Sequence, residues 1–477
     1  MAWCDLSNSD RLAAQEEAPL LAAGGSTPTT PRAGSRALFT RILGALAHAA
    51  SPPSANLRQA RQAIALCHAL LSERGEVSGL RLAAEVLAAY QSFDTATLDV
   101  FFDLLVEEFS PNPDDVTRAI EAYRQAPSQE HLVRLRTLLD GPRQELFRRC
   151  NIAPGGTGVL VQMRHQLLAT LAHHPQRAGI DADLLHLFRS WFNRGFLILQ
   201  RIDWRTSALV LERLIRYEAV HQIQGWSDLR RRLAADRRCY AFVHPALPDE
   251  PLIFIEVALT RGLVTKVQPL LDPNSPVVDT AAANCATFYS ITNCQEGLRG
   301  VSFGHSLIKQ AVEDLGRELP GLRTFATLSP IPGFRRWLET SSDPRINDYR
   351  SPQLTMLLAR LDKCDPEALQ VIPQHLRDDL TRLCAHYLLR AKQGTAPLDP
   401  VARFHLANGA RLQQINWLAD VSGNGLHQSV GLMANYVYRI RDTERNHEAY
   451  AKDYRVIASH ELERLVKGAR FVPIRGG

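Results

Sequence analysis

The sequence is short of the features that would place it in a special class. Its eight cysteines, Cys4, Cys67, Cys150, Cys239, Cys285, Cys294, Cys364 and Cys384, are scattered, with no Cys-x-x-Cys pair and no Cys/His cluster at zinc spacing. That argues against a disulfide framework or a zinc site, and for reduced, mostly buried thiols in a cytosol-like compartment. No apolar run approaches the roughly 18 residues that a membrane span needs. The first residues show no basic stretch followed by an apolar one, and Asp5, Asp10, Glu16 and Glu17 do not suit an acid-poor transit peptide. The chain closes on Ile-Arg-Gly-Gly, which is no peroxisomal signal, so a cytoplasmic protein is expected. Charge of one sign is also lacking: 55 Lys and Arg against 50 Asp and Glu leave +5. Such a balance does not point to nucleic acid, and it is compatible with a small polyanionic ligand.

What is present is material for cores. With 477 residues, 45% hydrophobic and 22% charged, two domains are expected. Residues 1–36 hold a stretch of small residues, Pro, Thr and Ser, which buries too little apolar surface to offset its ordering entropy; this reads as a flexible tail. From 37 to 192 the apolar spacing is helical almost throughout, with breaks at Ser-Pro-Pro, Pro-Asn-Pro-Asp-Asp and Ala-Pro-Gly-Gly, and with Asp114 or Asp115 as the expected helix cap after the second. No fixed period repeats, which favours a bundle over a solenoid. His165, His173 and His174 have no acidic or cysteine partner at ligand spacing, so this half reads as a packing or oligomerisation module.

The texture changes after Gly195. Cys239 to Val243 and Leu252 to Leu259 read as two strands of a hairpin-like unit, and Ala286 to Ile291 and Thr324 to Leu328 as further strands, so residues 193–477 are expected to form an α/β or α+β domain. Arg230, Arg231, Arg232, Arg237 and Arg238 form a basic cluster, read either as a solvated face or as a contact for phosphates. Between the last two strands, Gly297, Gly300 and Gly304 punctuate the start of an amphipathic run marked by Phe303, Leu307, Ile308, Ala311, Val312 and Leu315. Strand, glycine turn and helix hold phosphate well, because the N–H groups at a helix start lack internal partners and face a favourable dipole. The same arrangement also occurs in units that bind nothing. The spacing is neither Gly-x-Gly-x-x-Gly nor a P-loop. The run Arg299-Gly300-Val301-Ser302-Phe303-Gly304-His305-Ser306-Leu307 resembles instead the pyrophosphate loop of the GCN5-related N-acetyltransferase fold, an acyl-CoA site.

Several longer segments are similar to the malonyl-CoA decarboxylase family: YEAVHQIQGWSDLRRRL, EPLIFIEVALT, FYSIT, LSPIPGF, DPVARFHLANGA and GLMANYVY, in the expected order. The resemblance implies an all-helical N-terminal oligomerisation domain, an acetyltransferase-like catalytic domain and a homotetramer. It also implies conversion of malonyl-CoA to acetyl-CoA and CO2 with no metal or organic cofactor, coenzyme A entering only as part of the substrate. Carried over by motif, the catalytic residues fall on Ser329, His405 and Tyr438. The acyl-CoA contacts fall on Ser290, Gly297, Arg299, Gly300, Val301, Ser302, Phe303, Gly304 and His305. Some members carry a glutamate where Ser302 stands, so a scheme needing a carboxylate there does not transfer.

Loss of CO2 from a malonyl thioester leaves charge on the thioester oxygen as an enolate, which must meet hydrogen-bond donors and then be protonated at carbon. Hydroxyl and imidazole groups suit this better than an arginine that would hold the departing carboxylate in the ground state. The sequence leaves open whether Ser329 or His405 delivers the proton. Two other readings stay open: an acyl-CoA-dependent N-acyltransferase, and a non-catalytic acyl-CoA-binding protein.

Overall fold

The computed structural model describes residues 54–301, 307–341, 352–362 and 372–467. They form two compact units, one of residues 54–191 together with Gly297–Val301, the other of Phe192–Glu296 and the described residues from 307 onward.

The first unit is built from helices α1 (Ala55–Ser72), α2 (Glu76–Gln91), α3 (Thr95–Phe109), α4 (Pro113–Gln125), α5 (Gln129–Ile152), α6 (Gly156–Thr170) and α7 (Ala178–Trp191). α1 buries one stripe at helical spacing, with Ala60, Ala63, Ile64, Cys67 and Leu70, whereas α6 is buried nearly all round and α4 buries only Ala119. Their starts are capped by short polar side chains: Ser54 accepts from Leu57 N–H, Asp94 from Thr97 N–H and Ser128 from His131 N–H. The cap of α4 is Asn112, whose side chain accepts from the N–H groups of Asp114 and Asp115, and Pro113 occupies the first helical turn. This corrects the expectation for Asp114 or Asp115, which lie inside the helix and face its positive end instead.

The second unit is organised on one mixed sheet of eight strands: β1 (Ile198–Ile202), β2 (Arg237–Val243), β3 (Pro251–Thr260), β4 (Cys285–Asn293), β5 (Thr324–Thr327), β6 (Ser329–Pro330), β7 (Arg411–Asn416) and β8 (Met433–Tyr438). Their order is β1-β2-β3-β4-β5-β8-β6, with β7 also on β8. All neighbours are antiparallel except β4 and β5, which are parallel from Cys285↔Thr324 to Phe288↔Thr327. That parallel step requires a crossover, supplied by α8 (Leu307–Glu318), whose Ile308, Ala311, Val312 and Leu315 are buried against the sheet in the main core. The hairpin and the strands 285–293 and 324–327 answer to the sequence reading; β1, β6, β7 and β8 had no counterpart in it.

The arginine cluster satisfies neither sequence reading. Arg231 forks onto Asp236 at 2.7 and 3.0 Å, Arg232 bridges Asp228 at 2.9 Å and Glu256 at 2.8 Å, and Arg237 reaches Asp236 at 2.8 Å. Arg238 meets Glu318 at 2.7 Å. These four are buried and each is paired with a carboxylate, so they are internal ties, and of the five only Arg230 is exposed.

Candidate active site

Beyond Phe288 and Thr327 the two parallel strands part. β4 continues with β3 to Asn293, whereas the chain after β5 turns through Leu328, whose N–H is the last to reach β4, at Phe288 O (2.9 Å). Crevices open where neighbouring strands diverge at their carboxyl ends. A cavity of about 20 Å³ lies here, between Phe288, Tyr289, Ser290 and Ile291 on one side and Leu328, Ser329 and Pro330 on the other. On β4 a bulge helps to shape it: Ser290 pairs with Glu256 and Phe288 with Val257, leaving Tyr289 with no residue opposite it on β3.

Strand period 2 puts Thr327 and Ser329 on one face, and the pairings Ser329↔Ala434 and Phe325↔Tyr438 put Tyr436 and Tyr438 of β8 on that same face. Helix α9 (Pro400–Ala407) covers it. Asp399 caps its start by accepting from Ala402 N–H at 2.8 Å, Pro400 takes the first position, and Asn408-Gly409 ends it with Gly409 at φ 79°. A Cβ at Gly409 would stand 2.2 Å from Thr443 O, so the Asn-Gly of FHLANGA is fixed by helix termination. The last turn of this helix carries His405.

His405 Nε2 lies 2.9 Å from Ser329 Oγ and Nδ1 lies 2.9 Å from the Tyr438 hydroxyl, while the ring stacks on Tyr436 at 4.6 Å. Ser329 donates its single hydrogen to Thr327 Oγ1 at 2.8 Å. Ser329 Oγ can therefore only accept from the histidine, which assigns the hydrogen to Nε2 and leaves Nδ1 to accept from Tyr438. The resulting chain runs Tyr438 O–H to His405, His405 N–H to Ser329, Ser329 O–H to Thr327. Burial lowers His405 to about 3 and drives Tyr438 well above the ordinary tyrosine value, so both are neutral at physiological pH.

Of the residues carried over by motif, the structure brings Ser329, His405 and Tyr438 into hydrogen-bond contact, and Ser290 lines the same cavity. Gly297, Arg299, Gly300 and Val301 do not line it; they group with the helices, where buried Arg164 donates to Gly297 O at 2.8 Å and to Arg299 O at 2.7 Å. Ser302, Phe303, Gly304 and His305 lie outside the described residues. Sequence reasoning did not single out Thr327, Tyr436 or Glu218, the buried carboxylate that holds Ser290. For Thr327 and Tyr436 the signal is strand period: each stands two positions from a residue already named.

The malonyl-CoA decarboxylase C-terminal domain matches residues 195–472, and the N-terminal domain of the same family matches 109–192. The chain belongs to the malonyl-CoA decarboxylase family. A malonyl-CoA decarboxylase from Rhodopseudomonas palustris has a solved structure that is 47% identical, covers 87% of this chain and 100% of its own, and superposes with a TM-score of 0.79. Another from Cupriavidus metallidurans is 34% identical over 86% of this chain and 100% of its own, with a TM-score of 0.67. Among curated relatives, the mitochondrial malonyl-CoA decarboxylase of Anser anser anser is 35% identical over 75% of each chain. That of Rattus norvegicus is 36% identical over 70% of this chain and 73% of its own. Among the described residues, no helix is long and apolar enough to cross a membrane, and no three His, Cys, Asp or Glu side chains gather as a metal site would.

Proposed function

We propose that this chain decarboxylates malonyl-CoA to acetyl-CoA and CO2 through a thioester enolate, with Ser329 and His405 as the catalytic pair. The observation that carries the reading is the 2.9 Å contact between His405 Nε2 and Ser329 Oγ at the edge of a largely apolar cavity, in a member of this family. Both imidazole nitrogens are engaged, whereas the Ser329 hydroxyl needs only to rotate away from Thr327 to meet a substrate oxygen or carbon. Ser329 is accordingly the donor next to the substrate and His405 the group that steadies it, with Tyr438 fixing the tautomer. Apolar walls such as Val220, Val401 and Phe404 favour neutral CO2 over the carboxylate from which it forms.

In balance, the C–C bond breaks and its electrons pass to the thioester as an enolate. The α-carbon then takes one proton through the Ser329–His405 pair, which is restored from solvent, so each turnover consumes one proton. No metal or organic cofactor enters this scheme. The test is incubation of the purified protein with malonyl-CoA and no amine: acetyl-CoA and CO2 in equal amounts are expected. Free CoA appearing only when an amine is added would point to acyl transfer instead.

Assembly through the helical unit belongs to the same reading, as a homotetramer. It is supported by apolar side chains left exposed there, Val77, Val133, Leu139 and Ile152, which a partner copy would cover. Light scattering giving a monomer would contradict it. A reducing, cytosol-like compartment is supported by the six cysteines among the described residues, all free and buried, although the goose and rat relatives are named mitochondrial.

A further inference from the structure

Behind the cavity wall sits a carboxylate that the scheme above leaves unused. Glu218 follows α10 (Ala208–Tyr217) and is 4% exposed. Its Oε1 accepts from Val220 N–H at 2.8 Å and His221 N–H at 2.7 Å. Ser290 Oγ donates to the two carboxylate oxygens at 2.9 and 2.8 Å, and Thr292 Oγ1 donates to Oε2 at 3.2 Å. Every partner is a donor, two of them backbone N–H groups that can do nothing else, and Arg232 adds its charge nearby. Burial raises the Glu218 carboxyl on balance, against the opposing pull of these donors and of Arg232; the hydrogen-bond geometry itself, with donors on both oxygens, is that of an acceptor. A serine has one hydrogen. With that hydrogen committed to Glu218, Ser290 has only lone pairs left for the cavity it shares with Ser329 and His405.

We propose that Glu218 is a positioning residue that holds the Ser290 hydroxyl turned away from the cavity, so that Ser290 offers the malonyl carboxylate no hydrogen bond. An anionic carboxylate facing an oxygen lone pair and apolar walls is poorly held, whereas neutral CO2 is not penalised. The ground state is thus left unstabilised while the transition state, whose charge moves to the thioester oxygen, is served by Ser329. The proposal rests on the decarboxylase reading.

Glu218→Gln separates this role from a structural one. The two backbone N–H groups keep the amide oxygen on the Val220 and His221 side, which turns the amide NH2 toward Ser290. Ser290 then faces an amide NH2 in place of the nearer carboxylate oxygen and is expected to accept from it, which frees its hydrogen to turn toward the cavity. The expected result is a fall in kcat of about tenfold or more together with a fall in KM, the pattern of a ground state that has become too comfortable. In a Ser290→Ala background the Gln substitution is expected to change neither constant further, because its effect passes through the missing hydroxyl. Thr292→Val, which loosens the same carboxylate without touching the cavity, is expected to leave the kcat to KM pattern of the parent. Equal losses from Glu218→Gln in both backgrounds, with KM unchanged or raised, would overturn the proposal. If the Gln variant does not fold, Glu218→Asp, which withdraws the carboxylate from Ser290 by one methylene, carries the same comparison. If the unsubstituted protein releases no acetyl-CoA from malonyl-CoA, the decarboxylase reading falls and takes this proposal with it. Turnover by the parent with no coupling between positions 218 and 290 removes the proposal alone.

Discussion

Ser329 and His405 stand 76 positions apart in the chain, yet Oγ and Nε2 are 2.9 Å from each other, each held by a second hydrogen bond that leaves it one way to face. Thr327 and Tyr438 supply those second bonds, and the same sheet face supplies all three strand residues. If this pair carries the chemistry, Ser329→Ala and His405→Ala are each expected to lower kcat by about 10² or more. Circular dichroism and thermal unfolding check that the fold persists. Turnover near that of the parent in either variant would remove that residue's role.

Tyr438→Phe tests the tautomer. Removing the hydroxyl leaves buried Nδ1 without its donor, which costs about 1–3 kcal/mol in stability and frees the ring to place its hydrogen on either nitrogen. A loss of kcat intermediate between the parent and His405→Ala is expected, with KM little changed. Chemical denaturation and steady-state kinetics read the two effects separately.

The pH dependence has a definite sign. Burial holds His405 near 3 in the folded chain against an ordinary value of 6.5, so its contribution to stability is present above pH 6.5 and is lost as pH falls from 6.5 toward 3. Asp399, raised to about 6 by burial, works oppositely: its contribution is full below 3.8 and is lost as pH rises through 6. Comparing the parent with His405→Asn isolates the first effect. Unfolding free energy is expected to gain up to about 1.4 kcal/mol per pH unit between pH 4 and 6 in the parent relative to the variant. The profile of kcat/KM is expected to show no inflection near 6.5, since the working form of His405 is neutral on both sides.

Much of this site was legible in the sequence, and the reasons it stopped where it did are physical. LSPIPGF and FHLANGA stood out through their resemblance to the malonyl-CoA decarboxylase family, and the structure shows what holds their glycines: Gly409 lies in the left-handed region and Gly333 against the Tyr387 hydroxyl. The hairpin of β2 and β3 could be read from runs of β-branched and aromatic residues between turn signals. β8 could not, because Met-Ala-Asn-Tyr-Val-Tyr is buried on both faces and shows no alternation. The arginine cluster misled because a run of positive charge in sequence says nothing about carboxylates brought from Asp228, Glu256 and Glu318. Glu218 was hidden for the same reason: its meaning depends on Ser290, 72 positions away.

The close approach at Gly333 gives a packing test. A Cβ there would lie 2.3 Å from the Tyr387 hydroxyl, on the turn that presents Ser329. Gly333→Ala is expected to cost about 1–3 kcal/mol and to lower turnover by displacing Ser329. Tyr387→Phe removes the obstructing oxygen, so the double variant is expected to recover part of the lost activity and melting temperature. Independent, additive losses would show that the turn is not held by this contact.

The most direct measurement is turnover of malonyl-CoA by the purified protein in D2O, with acetyl-CoA analysed by mass spectrometry and its amount compared with the CO2 released. The expected result is equimolar acetyl-CoA and CO2, with one solvent deuterium in each acetyl methyl group, and near-complete loss of both products in Ser329→Ala. Absence of acetyl-CoA, or acetyl-CoA formed at an undiminished rate by the Ser329 variant, would contradict the account.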